Sequence, residues 1–291
     1  MRTKMRTNMR TRFMFTAIAL TAAAPFAPSL HAQAPPAPGK VITQDQMKSA
    51  KIPDLSGDWI ADPKKGGIGQ SLSAADPGGK LKGKEPDIPY QPWSLAKTMS
   101  EVSSTAPGGD YSKTTDPQVK FCDPPGVGKI LMWPAKSYIL QTPNIVYILY
   151  EFGPFWRPVF MNRKHPDDAD STWWGDSVGW YEGDTLVVDT NGFNGKTWLD
   201  QMGHPTTEKL HTIERYKRVD ADSMELEITI DDPGAYTKPW TTHRYYKIST
   251  TGSFYGWVCT IQDEQHFYEN LGAPAFTDPT KVPKPAAPPS H

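Results

Sequence analysis

The sequence is poor in most of the features that would name a function. Its 291 residues include two cysteines, too few for a disulfide-dense scaffold or a Cys-rich zinc module. The formal charge is -1, so there is no electrostatic case for nucleic acid or an anionic membrane surface. No apolar run is long enough to span a bilayer. There is no nucleophile-elbow serine, phosphate loop, dinucleotide fingerprint or zinc-finger spacing. Gly126-Val-Gly128-Lys129 is too short for a phosphate loop. No long helical patterns alternate with the strand-like runs, which argues against a parallel α/β sheet.

What is present begins with an export pattern. Arg2, Lys4, Arg6, Arg10 and Arg12 form a basic start, an apolar stretch follows over 13–24, and Leu30-His31-Ala32 supplies a small-residue end. Residues 1–32 are therefore expected to be a signal peptide of the general export type, and the mature chain to be periplasmic or secreted. In that oxidising setting Cys122 and Cys259 are expected to form one disulfide, worth about 5 kcal/mol at most by chain entropy. Residues 33–53 read as a linker, 54–275 as one β-barrel-like domain with a loop-rich excursion over 63–89, and 276–291 as a disordered Pro-rich tail.

The strand signals are dense. Apolar, β-branched and aromatic runs occupy 138–141, 145–152, 157–162, 211–219, 224–231, 240–248 and 254–261, parted by turn residues. A short helix is expected over 91–102 and a closing one over 263–271. With the hairpin described next, this makes eight or nine sequential strands. The expected fold is all-β: an antiparallel meander barrel or strongly curved sheet, lipocalin-like, with short peripheral helices.

The chain centres on Asp176-Ser-Val-Gly-Trp-Tyr-Glu-Gly-Asp-Thr-Leu-Val-Val-Asp-Thr190. Gly183-Asp184 suits a two-residue type II′ turn, with glycine supplying the positive φ. That turn sets Glu182 opposite Thr185, Trp180 opposite Val187 and Val178 opposite Asp189. One face then collects Asp176, Trp180, Glu182 and Asp189, and the other Ser177, Gly179, Tyr181, Leu186, Val188 and Thr190. The first face is a site wall if it meets a cavity, and an ordinary solvated face if it does not.

Further candidates surround it. In Trp198-Leu-Asp200-Gln-Met-Gly203-His204, a His beside an Asp offers a general base with an orienting acid. Glu182 and Asp189 are the complementary carboxylates. His204, Glu208 and His211 have a metal-like spacing, but Pro205 disfavours helical geometry there, and no metal is expected. The 163–170 loop, rich in Asp, reads as solvated. Ten tryptophans suit stacking on sugar-like or aromatic ligands. Asp176, Trp180, Trp198, Trp174 and Arg157 are the candidate ligand contacts, and the adjacent Trp173-Trp174 pair cannot place both rings on one strand face.

The run Trp180-Tyr-Glu-Gly-Asp-Thr-Leu-Val-Val-Asp-Thr-Asn-Gly-Phe193, with Trp198-Leu-Asp200, Gly203-His204 and Glu214-Arg215, resembles a group of exported bacterial proteins without a settled biochemical role. The likeness covers about 122–270 and implies that the cysteine pair, the hairpin and the Gly-His loop act as a unit. Separately, Gly57-Asp-Trp59 resembles the opening strand of lipocalin-like barrels.

These features lead to one expectation in two versions. A Trp- and carboxylate-lined pocket takes a small organic molecule, without an organic cofactor. The enzyme version is an acid–base hydrolase, lyase or isomerase using His204, Asp200, Glu182 and Asp189. The alternative is a non-catalytic binding protein, or a periplasmic interaction protein. No nucleic-acid partner is expected.

Overall fold

Strands with one apolar and one polar face must hide the apolar face and the open edges, and a closed barrel does both. In a computed structural model, residues 44–49, 51–62, 65, 88–101, 114–133, 136–151, 153, 155–250 and 259 are described. The chain divides into two compact units, Met1–Gln33 and Ala34–His291, and every described residue belongs to the second. Nine strands form a closed barrel in sequence order: β1 (Gly57–Ala61), β2 (Ser137–Gln141), β3 (Ile145–Tyr150), β4 (Trp156–Met161), β5 (Asp176–Glu182), β6 (Thr185–Asn191), β7 (His211–Arg218), β8 (Ser223–Asp231) and β9 (Trp240–Ile248). The all-β class, the barrel and the sequential order are as the sequence predicts.

Two features differ from a simple antiparallel meander. The barrel is closed by β1, which pairs with β2 through Gly57–Ile139 and with β9 through Trp59–Ile248. Trp59 is wholly buried and donates its Nε1–H to the Leu55 carbonyl at 2.9 Å, while the Arg218 guanidinium sits 5.3 Å from its ring. The second feature is that β4 and β5 run parallel, pairing Phe160 with Val178 and Met161 with Gly179. A parallel neighbour needs a crossover of about a dozen residues or more, and the 162–175 connection provides it. Gly179 permits the close approach: a Cβ there would come within 2.8 Å of the Val159 side chain.

Alternation decides what faces inward. Ile139, Val146, Ile148, Val159, Leu186, Val188, Leu226, Ile228 and Ile230 belong to one buried cluster. The other face of the hairpin contributes Val178, Trp180 and Val187 to a separate cluster with Ile213. Type II′ geometry at Gly183, with φ +63°, gives the predicted register throughout β5–β6, from Asp176–Asn191 to Glu182–Thr185.

Among the described residues, four short helices accompany the barrel: α1 (Gln44–Ser49), α2 (Pro92–Ser100), α3 (Pro117–Phe121) and α4 (Gly126–Met132). α1 lies in the segment expected to be a linker, and its Met47 is buried. α2 starts with proline in its first turn, where the missing N–H costs nothing. In the sequence, Cys122-Asp-Pro-Pro-Gly126 reads as a turn cluster, which hides α3 and α4. Asp116 caps α3 by accepting the Gln118 N–H at 3.0 Å, and Cys122 ends it in the left-handed conformation. Every residue of α4 is buried, and its Val127, Ile130, Leu131 and Met132 enter the barrel's cluster. Cys122 and Cys259 form the expected disulfide. The signal-peptide, excursion and tail assignments, the 254–261 strand and the 263–271 helix fall outside the described residues, apart from Lys65, Ile88, Pro89 and Cys259. No helix among the described residues is long and apolar enough to cross a membrane.

Candidate functional site

The residues singled out by sequence separate into three places. The first is the barrel interior. Arg157 projects inward from β4 and meets Glu214 from β7 in a two-pronged pair, Nη1–Oε1 at 2.7 Å and Nη2–Oε2 at 2.6 Å, with both side chains at most 1 % exposed. Two parallel N–H···O bonds are the strongest form such a pair takes. Tyr216, two residues along β7, donates its hydroxyl to Glu214 Oε2 at 2.7 Å. Burial pushes against the Arg157 charge, but Glu214 outweighs it and holds the guanidinium well above its usual range. Burial raises the Tyr150 and Tyr216 phenols, so both stay protonated.

Arg244 enters the same interior from β9, with 2 % exposure. It donates Nη1–H to the Leu131 carbonyl at 2.6 Å and Nη2–H to the Trp133 carbonyl, so it caps the C-terminal end of α4. Among the described residues it forms no ion pair with a carboxylate, and burial lowers its pKa. Among the described residues, several interior polar atoms have no hydrogen-bond partner: Arg157 Nε, Arg244 Nε, Thr212 Oγ1, Thr242 Oγ1 and Trp240 Nε1. Trp174, ahead of β5 and only partly buried, stacks on Tyr150 with ring centroids 6.0 Å apart and planes at 14°. Two candidate ligand contacts, Arg157 and Trp174, therefore come together here.

The second place is the outer side of the hairpin. Asp176, Trp180, Glu182 and Asp189 share a face, as the register predicts, but it points away from the barrel interior. Glu182 accepts the Trp180 Nε1–H at 3.0 Å and pairs with Arg215 at 2.7 Å, and Arg215 holds its carboxyl below the usual range. Asp176 and Asp189 are bridged by His165, whose Nδ1 lies 2.7 Å from Asp176 Oδ2 and whose Nε2 lies 3.1 Å from Asp189 Oδ1. His211 Nε2 lies 2.8 Å from the same Asp189 oxygen, and Arg163 completes the set on Asp176. Burial presses His165 toward its neutral form, but its hydrogen bonds to both carboxylates outweigh this and raise its pKa from 6.5 to about 9. The imidazolium donates from both nitrogens and so satisfies both acids. Asp189 is buried, yet the two histidines lower its pKa from 3.8 to about 2.

The third place is the loop that carries Trp198, Asp200 and His204. An isolated bridge joins Trp198 to Pro205, and the Leu199 N–H donates to the His204 carbonyl at 2.7 Å. Asp200 Oδ1 accepts the Met202 N–H at 2.9 Å. His204 Nδ1 lies 2.7 Å from Asp200 Oδ2, out of line for a hydrogen bond, and its ring stacks on Tyr90 at 5.6 Å. Both residues are about 1 % exposed. No hydrogen bond or ion pair among the described residues joins this loop to Glu182 or Asp189: Asp200 contacts His204, which stacks on Tyr90, whereas Glu182 pairs with Arg215 and Asp189 with His165 and His211. The metal-like spacing of His204, Glu208 and His211 does not converge: His211 begins β7 and belongs to the outer chain. Among the described residues no cluster of His, Cys, Asp or Glu is arranged to hold a metal ion.

Of the interior charges, Arg157 is a sequence candidate, whereas Glu214 and Arg244 are not singled out as site residues, because they are polar residues at the core parity of their strands. Glu214 and Tyr216 share the parity of Thr212, and Arg244 shares that of Trp240 and Tyr246. That shared parity with large aromatics was the available signal.

No family model and no curated protein matches the chain. Among solved structures, the chain is similar to a mutant of the fluorescent protein UnaG. The match has 15% sequence identity and a TM-score of 0.25, and covers 40% of this chain and 73% of that one.

Proposed function

We propose that the chain is an exported binding protein that holds a small organic anion inside its barrel. The observation that carries this is Arg244, a buried guanidinium with no carboxylate partner among the described residues. Arg157 and Glu214 cancel, so Arg244 leaves the described interior with a surplus positive charge. A buried charge without a counter-ion costs several kcal/mol, and a ligand carboxylate removes that cost. The Thr212, Thr242 and Trp240 groups, without a partner among the described residues, give such a ligand further hydrogen bonds, and Trp174 beside Tyr150 suits an aromatic acid. Export is supported by the basic and apolar start of the sequence and by the disulfide. The separation of His204 and Asp200 from Glu182 and Asp189 favours binding over acid–base hydrolase, lyase or isomerase chemistry.

The test is calorimetry of the mature chain with a panel of aromatic carboxylic acids, their neutral amides and simple sugars. Acids are expected to bind, amides at least about tenfold more weakly, a difference of about 1.4 kcal/mol. Arg244→Met is expected to erase the preference. Equal affinity for acids and amides, or binding of sugars alone, would overturn the reading.

A further inference from the structure

The outer face of the barrel changes character around its girth. On β7, β8 and β9 the outward positions include Arg215, Lys217, Glu225, Glu227, His243 and Lys247, the composition of a solvated face. On β2, β3 and β4 no outward position carries a charge. Tyr138, Leu149 and Trp156 are cross-strand neighbours in one row there, and Leu140, Tyr147 and Pro158 in the next. Trp156 is 57% exposed, Leu140 43% and Tyr138 39%. The Tyr147 and Trp156 rings lie 6.0 Å apart with planes at 53°, so they splay into a shallow groove rather than a flat stack. Three strands about 4.8 Å apart, each about 20 Å long, make this a patch of roughly 15 by 20 Å.

We infer that this face is the docking site of the chain's own Pro-rich tail, Val282-Pro-Lys-Pro-Ala-Ala-Pro-Pro289, which lies across it as a polyproline II segment. Aromatic-lined grooves take Pro-x-x-Pro segments because the polyproline helix is pre-formed and loses little entropy on binding. Pro285-Ala-Ala-Pro288 has that spacing, and three residues per turn put both prolines on one side. The stretch from Pro283 to Pro288 spans about 19 Å in this conformation, the length of the patch. A second copy fits less well, since a standard interface takes about 800 Å² from each partner and the patch offers roughly 300 Å². The tail also reaches. Cys259 is fixed to Cys122, and the flexible chain from there to Pro283 spans about 27 Å on average, close to the diameter of a small domain. Charge agrees with this. Asp58 continues the Tyr138 row on β1, and Asp58 and Glu151 share Lys136 at 3.6 and 3.7 Å. Two carboxylates to one ammonium at that end suit Lys281 or Lys284 beside the prolines. The excursion after β1 starts on the other side of that strand, where Lys65 lies 5.7 Å from the Tyr245 ring centroid of β9.

The test is hydroxyl-radical footprinting of the full chain, read by peptide mass spectrometry. Trp93 on α2, 47% exposed, is the internal reference for Trp156, because a bare barrel oxidises the two at similar rates. With the tail docked, Trp156 is expected to react about fivefold more slowly than Trp93, since a tether holds the segment at roughly millimolar effective concentration and even weak binding fills the site. The Pro285→Ala/Pro288→Ala variant, whose changes lie outside all nine strands, is expected to bring Trp156 up to the Trp93 rate and to leave Trp93 unchanged. Protection is also expected to survive dilution, as a contact within one chain must. Equal rates for the two tryptophans in the wild-type chain, or protection untouched by the proline substitutions, would overturn the proposal. Protection lost on dilution would assign the face to a second copy, and protection lost in Pro35→Ala/Pro38→Ala instead would assign it to the N-terminal Pro-rich segment; either result overturns the proposal as well.

Discussion

Inside the barrel, Arg157 and Glu214 meet in a dry space and lock one another into the charged state, with Tyr216 completing the pair. On the outside of the hairpin, Asp176, His165, Asp189 and His211 form a chain of similar bond lengths in a partly wet setting. The difference lies in what balances each carboxylate. Arginine stays charged at any ordinary pH, so the inner pair is fixed once folded. Histidine gives up its proton within a few pH units, so the outer chain is adjustable. The same fold thus keeps one invariant charge pair in its core and one titrating chain on its surface.

The sharpest way to break the comparison is Glu214→Gln, which strands Arg157 in the core. A loss of about 3–5 kcal/mol in urea unfolding is expected, whereas Arg157→Met combined with Glu214→Leu recovers most of it. A smaller effect is expected outside. His165 binds its proton more tightly when folded, its pKa rising from 6.5 to about 9. Its contribution is therefore fully present below pH 6.5 and lost as pH rises through 9. Asp189 shifts the other way, from 3.8 to about 2, so its contribution is present above pH 3.8 and lost as pH falls through 2. The outer chain is thus strongest between pH 3.8 and 6.5. His165→Asn should flatten the fall in stability between pH 6.5 and 9, by on the order of 1–2 kcal/mol after solvent screening. An unchanged slope would show that the chain is not coupled to folding. The smallest effect belongs to Glu182→Gln. Glu182 and Arg215 are each about one-third exposed, so a loss of about 1 kcal/mol or less is expected. That loss should shrink in 1 M salt, where the screening length is about 3 Å, while the Glu214→Gln loss does not.

Local chemistry made parts of this legible in the sequence. Gly183-Asp184 specifies a turn, and a turn specifies a register, so the two faces of the hairpin followed residue by residue. Which face meets the core did not follow. That choice depends on the parallel β4–β5 pairing and on the crossover over 162–175, neither of which leaves a local trace. The same crossover carries His165, whose partners Asp176 and Asp189 are far from it only along the chain. α4 is masked by its own start, since Gly126 closes the Cys122-to-Gly126 turn cluster. At Gly128 a Cβ would lie 2.7 Å from Leu199 Cδ1, so the glycine there serves packing against the neighbouring loop. Arg157 and Trp174 are legible as candidate contacts, but their partners Glu214 and Tyr150 need the barrel's closure to become neighbours.

The disulfide has a consequence for connectivity. Cys122 and Cys259 are separated by 137 positions, and β2 through β9 all lie between them. β1 lies outside this ring, yet it is the strand that joins β2 to β9. Eight strands are therefore strung on a covalent hoop, and the ninth fastens it as a removable clasp. A protease cut within the hoop leaves the pieces tethered, whereas a cut just after β1 frees the clasp.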